Sequence, residues 1–115
     1  MARHADRTAR GPAAALAALA LCAATAAVAG PAPATRTVTI AAMRFEPQTL
    51  AVRPGDRIVW LNRDPFPHTV VSPAGRFRSP QIAPGASWSH VVRQPGVLPY
   101  ACSLHPTMTA ELRVD

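Results

Sequence analysis

The sequence predicts an all-β fold of seven or eight short strands in two packed sheets. Three observations predict it. Turn signals recur along the chain at Pro54-Gly55-Asp56, Pro73-Ala74-Gly75, Pro84-Gly85 and Pro95-Gly96, the last three 11 residues apart. Segments between the turns alternate apolar and polar residues with a period of two, the pattern of strands with one buried face. Thirteen prolines leave no room for a long helix. Short strands punctuated at this interval point to an antiparallel sandwich or barrel.

The elements follow in order. Arg3, Arg7 and Arg10 precede an uncharged, alanine-rich run from Ala13 to Val28, and Ala27-Val28-Ala29 has the small-x-small pattern of a cleavage site. Residues 1–29 are therefore expected to be a cleaved secretory signal peptide. The run is short and weakly apolar for a membrane anchor. Lipidation at Cys22 is disfavoured by Leu21 before it, where a small residue is wanted. Cleavage would leave 86 residues. Residues 30–36 are expected to form a flexible mature N-terminus, ahead of one domain over 37–115.

Within that domain Val38 and Ile40 share a strand face, as do Ile58 and Trp60. In the last run Ala110, Leu112 and Val114 face one way, and Thr109, Glu111, Arg113 and Asp115 the other. Trp60, Trp88 and Phe45 are expected in the core, and His90 shares a face with Trp88 and Val92.

Charge narrows the partners. The chain has no lysine, and residues 30–115 carry nine arginines against five acids, a formal +4. The arginines are scattered and do not interleave with aromatics, which argues against a nucleic-acid surface.

Chemistry concentrates near the C-terminus. The run Cys102-Ser103-Leu104-His105-Pro106-Thr107-Met108 spaces a thiol, an imidazole and a thioether three residues apart. His68 supplies a second imidazole at the end of Pro65-Phe66-Pro67-His68. After export Cys102 is the sole cysteine, so it cannot form an internal disulfide and needs burial, a partner or a metal. Two imidazoles, one thiolate and a weak axial thioether are the ligand set of a blue-copper centre. Zinc fits less well, because it seldom accepts a thioether and favours paired cysteine or histidine ligands.

On these residues the chain resembles the cupredoxins, nearest the amicyanin, pseudoazurin and plastocyanin branch. The C-x-x-H-x-x-M loop is similar to the short ligand loop of amicyanin and pseudoazurin. Met43-Arg44-Phe45-Glu46-Pro47, Val59-Trp60-Leu61-Asn62 and Tyr100-Ala101-Cys102 resemble the strands around it. The resemblance implies a cupredoxin-like Greek-key β-sandwich holding one type 1 copper ion through His68, Cys102, His105 and Met108. It implies that Asn62 ties the two ligand loops together beside the cysteine, with Pro67 and Pro106 packing those loops. It further implies a non-enzymatic, monomeric one-electron carrier in the periplasm or cell envelope. Its redox partners, such as a c-type cytochrome or a dehydrogenase, would dock transiently around His105. A copper-binding module for storage, delivery or sensing is the alternative. One departure stands out: Thr107 occupies a position where members with this loop often carry Phe, which leaves partner identity open.

Overall fold

The computed structural model describes residues 17–21 and 30–115. Apart from 17–21, the expected signal segment lies outside the described residues. Among the described residues no helix is long and apolar enough to cross a membrane.

Among the described residues nine strands form two sheets: β1 (Thr35–Ala41), β2 (Arg44–Glu46), β3 (Thr49–Val52), β4 (Arg57–Asn62), β5 (Val71–Ser72), β6 (Phe77–Arg78), β7 (Ser87–Val91), β8 (Gly96–Ala101) and β9 (Thr109–Val114). One sheet has the order β2-β1-β4-β7, the other β3-β9-β8-β5-β6. The expected sandwich is present, with nine strands because β2, β5 and β6 are only two or three residues long.

The sheets are mixed, which corrects the expected antiparallel arrangement. β1 pairs with β4 in parallel, and β3 pairs with β9 in parallel. The cause is the crossing of the chain between layers. β3 belongs to the second sheet, so the chain leaves the first sheet after β2 and re-enters it at β4 beside β1. A parallel neighbour requires such a crossover. The two-residue period reports which face of a strand is buried and carries no information on the direction of its neighbour.

The first strand also begins earlier than the expected boundary at 37. Thr35 and Arg36 pair with Arg57 and Ile58. Asp56 accepts the Ala34 N–H at 2.8 Å and the Arg53 N–H at 2.9 Å. This buried carboxylate pins the start of β1 to the turn before β4.

Alternation builds the core. Val38, Ile40, Ile58 and Trp60 from one sheet and Leu98, Tyr100, Ala110, Leu112 and Val114 from the other are all buried. Trp60 sits among Tyr100, Phe77 and Trp88, with ring centroids 5.6, 5.8 and 5.5 Å away. His90 stacks on Trp88 at the β7 edge. The Trp60 indole N–H and the Tyr100 hydroxyl are buried without a hydrogen-bond partner. Burial pushes the Tyr100 phenol up to about 12.

Candidate metal centre

Cys102 immediately follows β8, and Met108 immediately precedes β9. The connection is closed by backbone hydrogen bonds. Cys102 N–H donates to Met108 O at 3.1 Å, His105 N–H to Cys102 O at 3.3 Å, and Met108 N–H to His105 O at 2.9 Å. Two consecutive four-residue turns, 102–105 and 105–108, thus bring Cys102, His105 and Met108 to successive corners of one loop. This is the physical content of their spacing, and Pro106 stands inside the second turn, where no N–H is required of it.

His68 lies on the segment that crosses from β4 in the first sheet to β5 in the second. After β4 the chain runs through Pro65, Phe66 and Pro67, and His68 forms an antiparallel bridge with Ile82. His68 N–H donates to Ile82 O at 3.2 Å and Ile82 N–H to His68 O at 2.7 Å. The ring is fully buried.

The two loops meet at the thiol. Cys102 Sγ lies 3.7 Å from His68 Nδ1 and 3.8 Å from His105 Nδ1. The three donor atoms all lie within 4.8 Å of one another. Both imidazoles present Nδ1, and their centroids are 5.1 Å apart. Cys102 is fully buried, Met108 nearly so, and His105 is half-buried. A thiol and two ring nitrogens converging on one point, with no disulfide partner among the described residues, form a soft-to-borderline donor set suited to a metal.

The tie between the loops is not the expected one. Asn62 is fully buried, but its side chain donates to Phe66 O at 2.7 Å and Ile82 O at 2.9 Å, and it accepts the Asp64 N–H at 2.9 Å. Asn62 therefore shapes the His68 loop and binds it to the Ile82 segment without reaching the cysteine loop. Thr69 makes the bridge. Its Oγ1 accepts the Ser103 N–H at 2.8 Å, and its own N–H points at Cys102 Sγ at 3.4 Å. The adjacency of Thr69 to His68 was the one sequence signal available for this role.

Asp64 was also missed. Its Oδ2 lies 2.8 Å from His68 Nε2 and accepts the Met43 N–H at 2.9 Å. Burial alone would raise its carboxyl, but the Met43 N–H and the His68 ring outweigh that and hold it below the usual carboxylate range. A proline-flanked aspartate in a loop reads as turn chemistry, and only the fold brings it to the ring.

The cupredoxin-like domain profile matches residues 12–114. The chain belongs to the cupredoxin-like family. Among curated proteins, this cupredoxin is 33% identical over 106 residues to amicyanin-alpha of Methylorubrum extorquens, covering 88% of each chain. It is 31% identical over 83 residues to amicyanin of Paracoccus denitrificans, a match spanning 68% of this chain and 63% of that protein's length. Among solved structures, an amicyanin variant in the Cu(I) form superposes with a TM-score of 0.67 at 29% identity, over 70% of this chain and 82% of that one. A copper-containing nitrite reductase from Thermus scotoductus superposes with a TM-score of 0.65 at 26% identity, over 76% of this cupredoxin but 23% of the reductase.

Proposed function

We propose that this cupredoxin is an exported type 1 copper protein that carries single electrons between redox partners. The observation that carries the reading is the convergence of His68 Nδ1, Cys102 Sγ and His105 Nδ1 within 4.8 Å at a buried position. Copper held there by His68, Cys102 and His105, with Met108 as a weaker fourth ligand, would supply Cu(II)/Cu(I) cycling.

The protein's part is to keep the donors in place. Cu(II) favours tetragonal nitrogen and oxygen ligands, and Cu(I) accepts soft sulfur in low coordination. A trigonal set of two nitrogens and a thiolate suits both, so little has to move on electron transfer. Cys102, His105 and Met108 ride on a loop closed by its own backbone bonds, and His68 is clamped to Ile82 on both sides of its peptide. The Thr69 N–H donates toward Cys102 Sγ at 3.4 Å and helps hold the sulfur in place.

Docking is assigned to the surface around His105. Phe66 is 54% exposed and Leu104 42%, and Pro65, Pro67 and Pro106 are exposed beside them. A small apolar patch of this kind suits an encounter that must dissociate quickly. The partners are redox proteins, such as a c-type cytochrome or a dehydrogenase. The exposed Thr107 at the same rim makes the patch more polar than an aromatic would. Export rests on the pattern of residues 1–29, and a periplasmic or cell-envelope location follows from it.

The test is the visible and EPR spectrum of the copper-loaded protein beside Cys102→Ser. An intense visible band, lost in the variant, is the expected result. A colourless wild type would overturn the reading. Copper storage or delivery is the competing reading, and slow electron exchange in a blue protein would favour it.

A further inference from the structure

We propose that Asp64 is a positioning residue of the metal centre: its buried carboxylate, bonded to the outer nitrogen of His68, orients that ring and biases the bound copper toward its oxidised state. The inference rests on the copper reading above.

The geometry is built rather than incidental. His68 turns Nδ1 toward Cys102 and Nε2 toward Asp64 Oδ2, 2.8 Å away. A carboxylate only accepts, so Nε2 carries the proton and Nδ1 keeps its lone pair for a metal. The carboxylate is itself held. Its Oδ2 accepts the Met43 N–H at 2.9 Å, and the Asp64 backbone N–H donates to Asn62 Oδ1 at 2.9 Å.

The backbone that delivers the Met43 N–H is strained. Ala42 and Met43 form the two-residue loop between β1 and β2, where Ala41 pairs with Arg44. Their φ angles are +50° and +58°. A hairpin of this kind wants positive φ at both positions and is normally met by Asn or Gly. For residues with a Cβ the conformation is unfavourable, because the Cβ crowds the following carbonyl oxygen. Such strain persists where the surroundings over-determine it. Here the turn aims an N–H at the carboxylate that orients His68.

Charge gives the direction of the effect. Asp64 is 6% exposed and Cys102 and His68 are not exposed, so little water screens this end of the sandwich. With thiolate and carboxylate both ionised, Cu(II) brings the group to neutrality and Cu(I) leaves one net negative charge. Burying a net charge is unfavourable. An amide in place of the carboxylate would shift these sums to one net positive charge and zero. The carboxylate therefore favours Cu(II), and hydrogen bonding from Nε2–H adds to this by raising the basicity of the ring.

Copper-loaded wild type, Asp64→Asn and Asp64→Glu are compared by visible spectrum and redox titration. Asp64→Asn is expected to stay coloured and to shift its Cu(I):Cu(II) ratio about tenfold toward Cu(I) at fixed potential, about 59 mV upward for one electron. Asp64→Glu, which keeps the charge, is expected to recover part of that shift; a Glu variant displaced as far as Asn overturns the charge argument. A coloured Asp64→Asn with an unchanged or lower potential overturns the inference alone. A wild type without the visible band overturns the copper reading, and this inference with it. Should Asp64→Asn fail to fold, NMR of the reduced wild type decides. A slowly exchanging, strongly downfield His68 Nε2–H is expected, and a proton in rapid exchange with water overturns the proposal.

Discussion

Thr69 Oγ1 accepts the Ser103 backbone N–H at 2.8 Å, a bond that joins the residue after His68 to the residue after Cys102. The segment after His68 leads into β5, the neighbour of β8 in the second sheet, and this contact extends that pairing to set the spacing of the two ligand loops beside the thiol. Thr69→Val keeps the shape and the N–H toward Sγ but removes the acceptor. Copper affinity is expected to fall about 10- to 100-fold, the usual range for outer-shell partners. A competition titration against a chelator measures it, and an affinity equal to wild type would contradict the bridging role.

Asn62 acts on stability instead. Its amide satisfies the Phe66 carbonyl and the buried Ile82 carbonyl, and its oxygen the buried Asp64 N–H. Each buried polar group left unpaired costs about 1–3 kcal/mol. Asn62→Ala is therefore expected to lose about 3 kcal/mol or more in urea unfolding of the metal-free protein. A loss under about 1 kcal/mol would show that water replaces these bonds.

Met108 is 5% exposed and sits at the last corner of the ligand loop. Met108→Leu conserves volume, so folding is expected to survive. Loss of the thioether should leave the visible band, which belongs to the thiolate, and raise the reduction potential by about 59 mV or more, a tenfold change in preference. Redox titration checks this, and a lower potential would exclude an axial role.

Asp56 governs acid stability. The Ala34 N–H and the Arg53 N–H hold its carboxyl below the usual carboxylate range. The folded pKa lies below the unfolded one, so the stabilisation is fully present above the unfolded value. It is lost as pH falls through the folded value. The wild-type melting temperature is expected to drop more steeply below about pH 4 than that of Asp56→Asn, because only the wild type has this carboxylate to protonate. Parallel melting curves across that window would contradict the assignment.

Tyr100→Phe tests the unpartnered hydroxyl. The phenol is buried, and its oxygen has no hydrogen-bond partner. Removing an unsatisfied group spares its desolvation cost of about 1–3 kcal/mol, so the variant is expected to be as stable as wild type or more so. A clear loss of stability would reveal a bond from the neighbouring Trp60 indole.

Strand positions were legible where alternation was clean. The expected buried set Ala110, Leu112 and Val114 is the buried set of β9, and Val38 with Ile40 that of β1. β5 and β6, two residues each, are too short to show a period, and the parallel β1–β4 pairing leaves no mark on either strand. The thiol, imidazole and thioether types and their three-residue spacing identified the candidate ligands. The role first given to Asn62 belongs to Thr69, because an asparagine six residues before His68 and a threonine one residue after it are equally plausible from the chain alone.

The sequence by itself determined the fold class, the core faces and the donor types, because burial periodicity and ligand chemistry are properties of side chains in order along the chain. Only the tertiary structure decided the parallel pairings, the turning of His68 Nδ1 to the thiol, and the seats of Thr69 and Asp64. Those depend on directions and distances of a few ångströms between segments up to 62 residues apart, and hydrogen bonding is sharply sensitive to both.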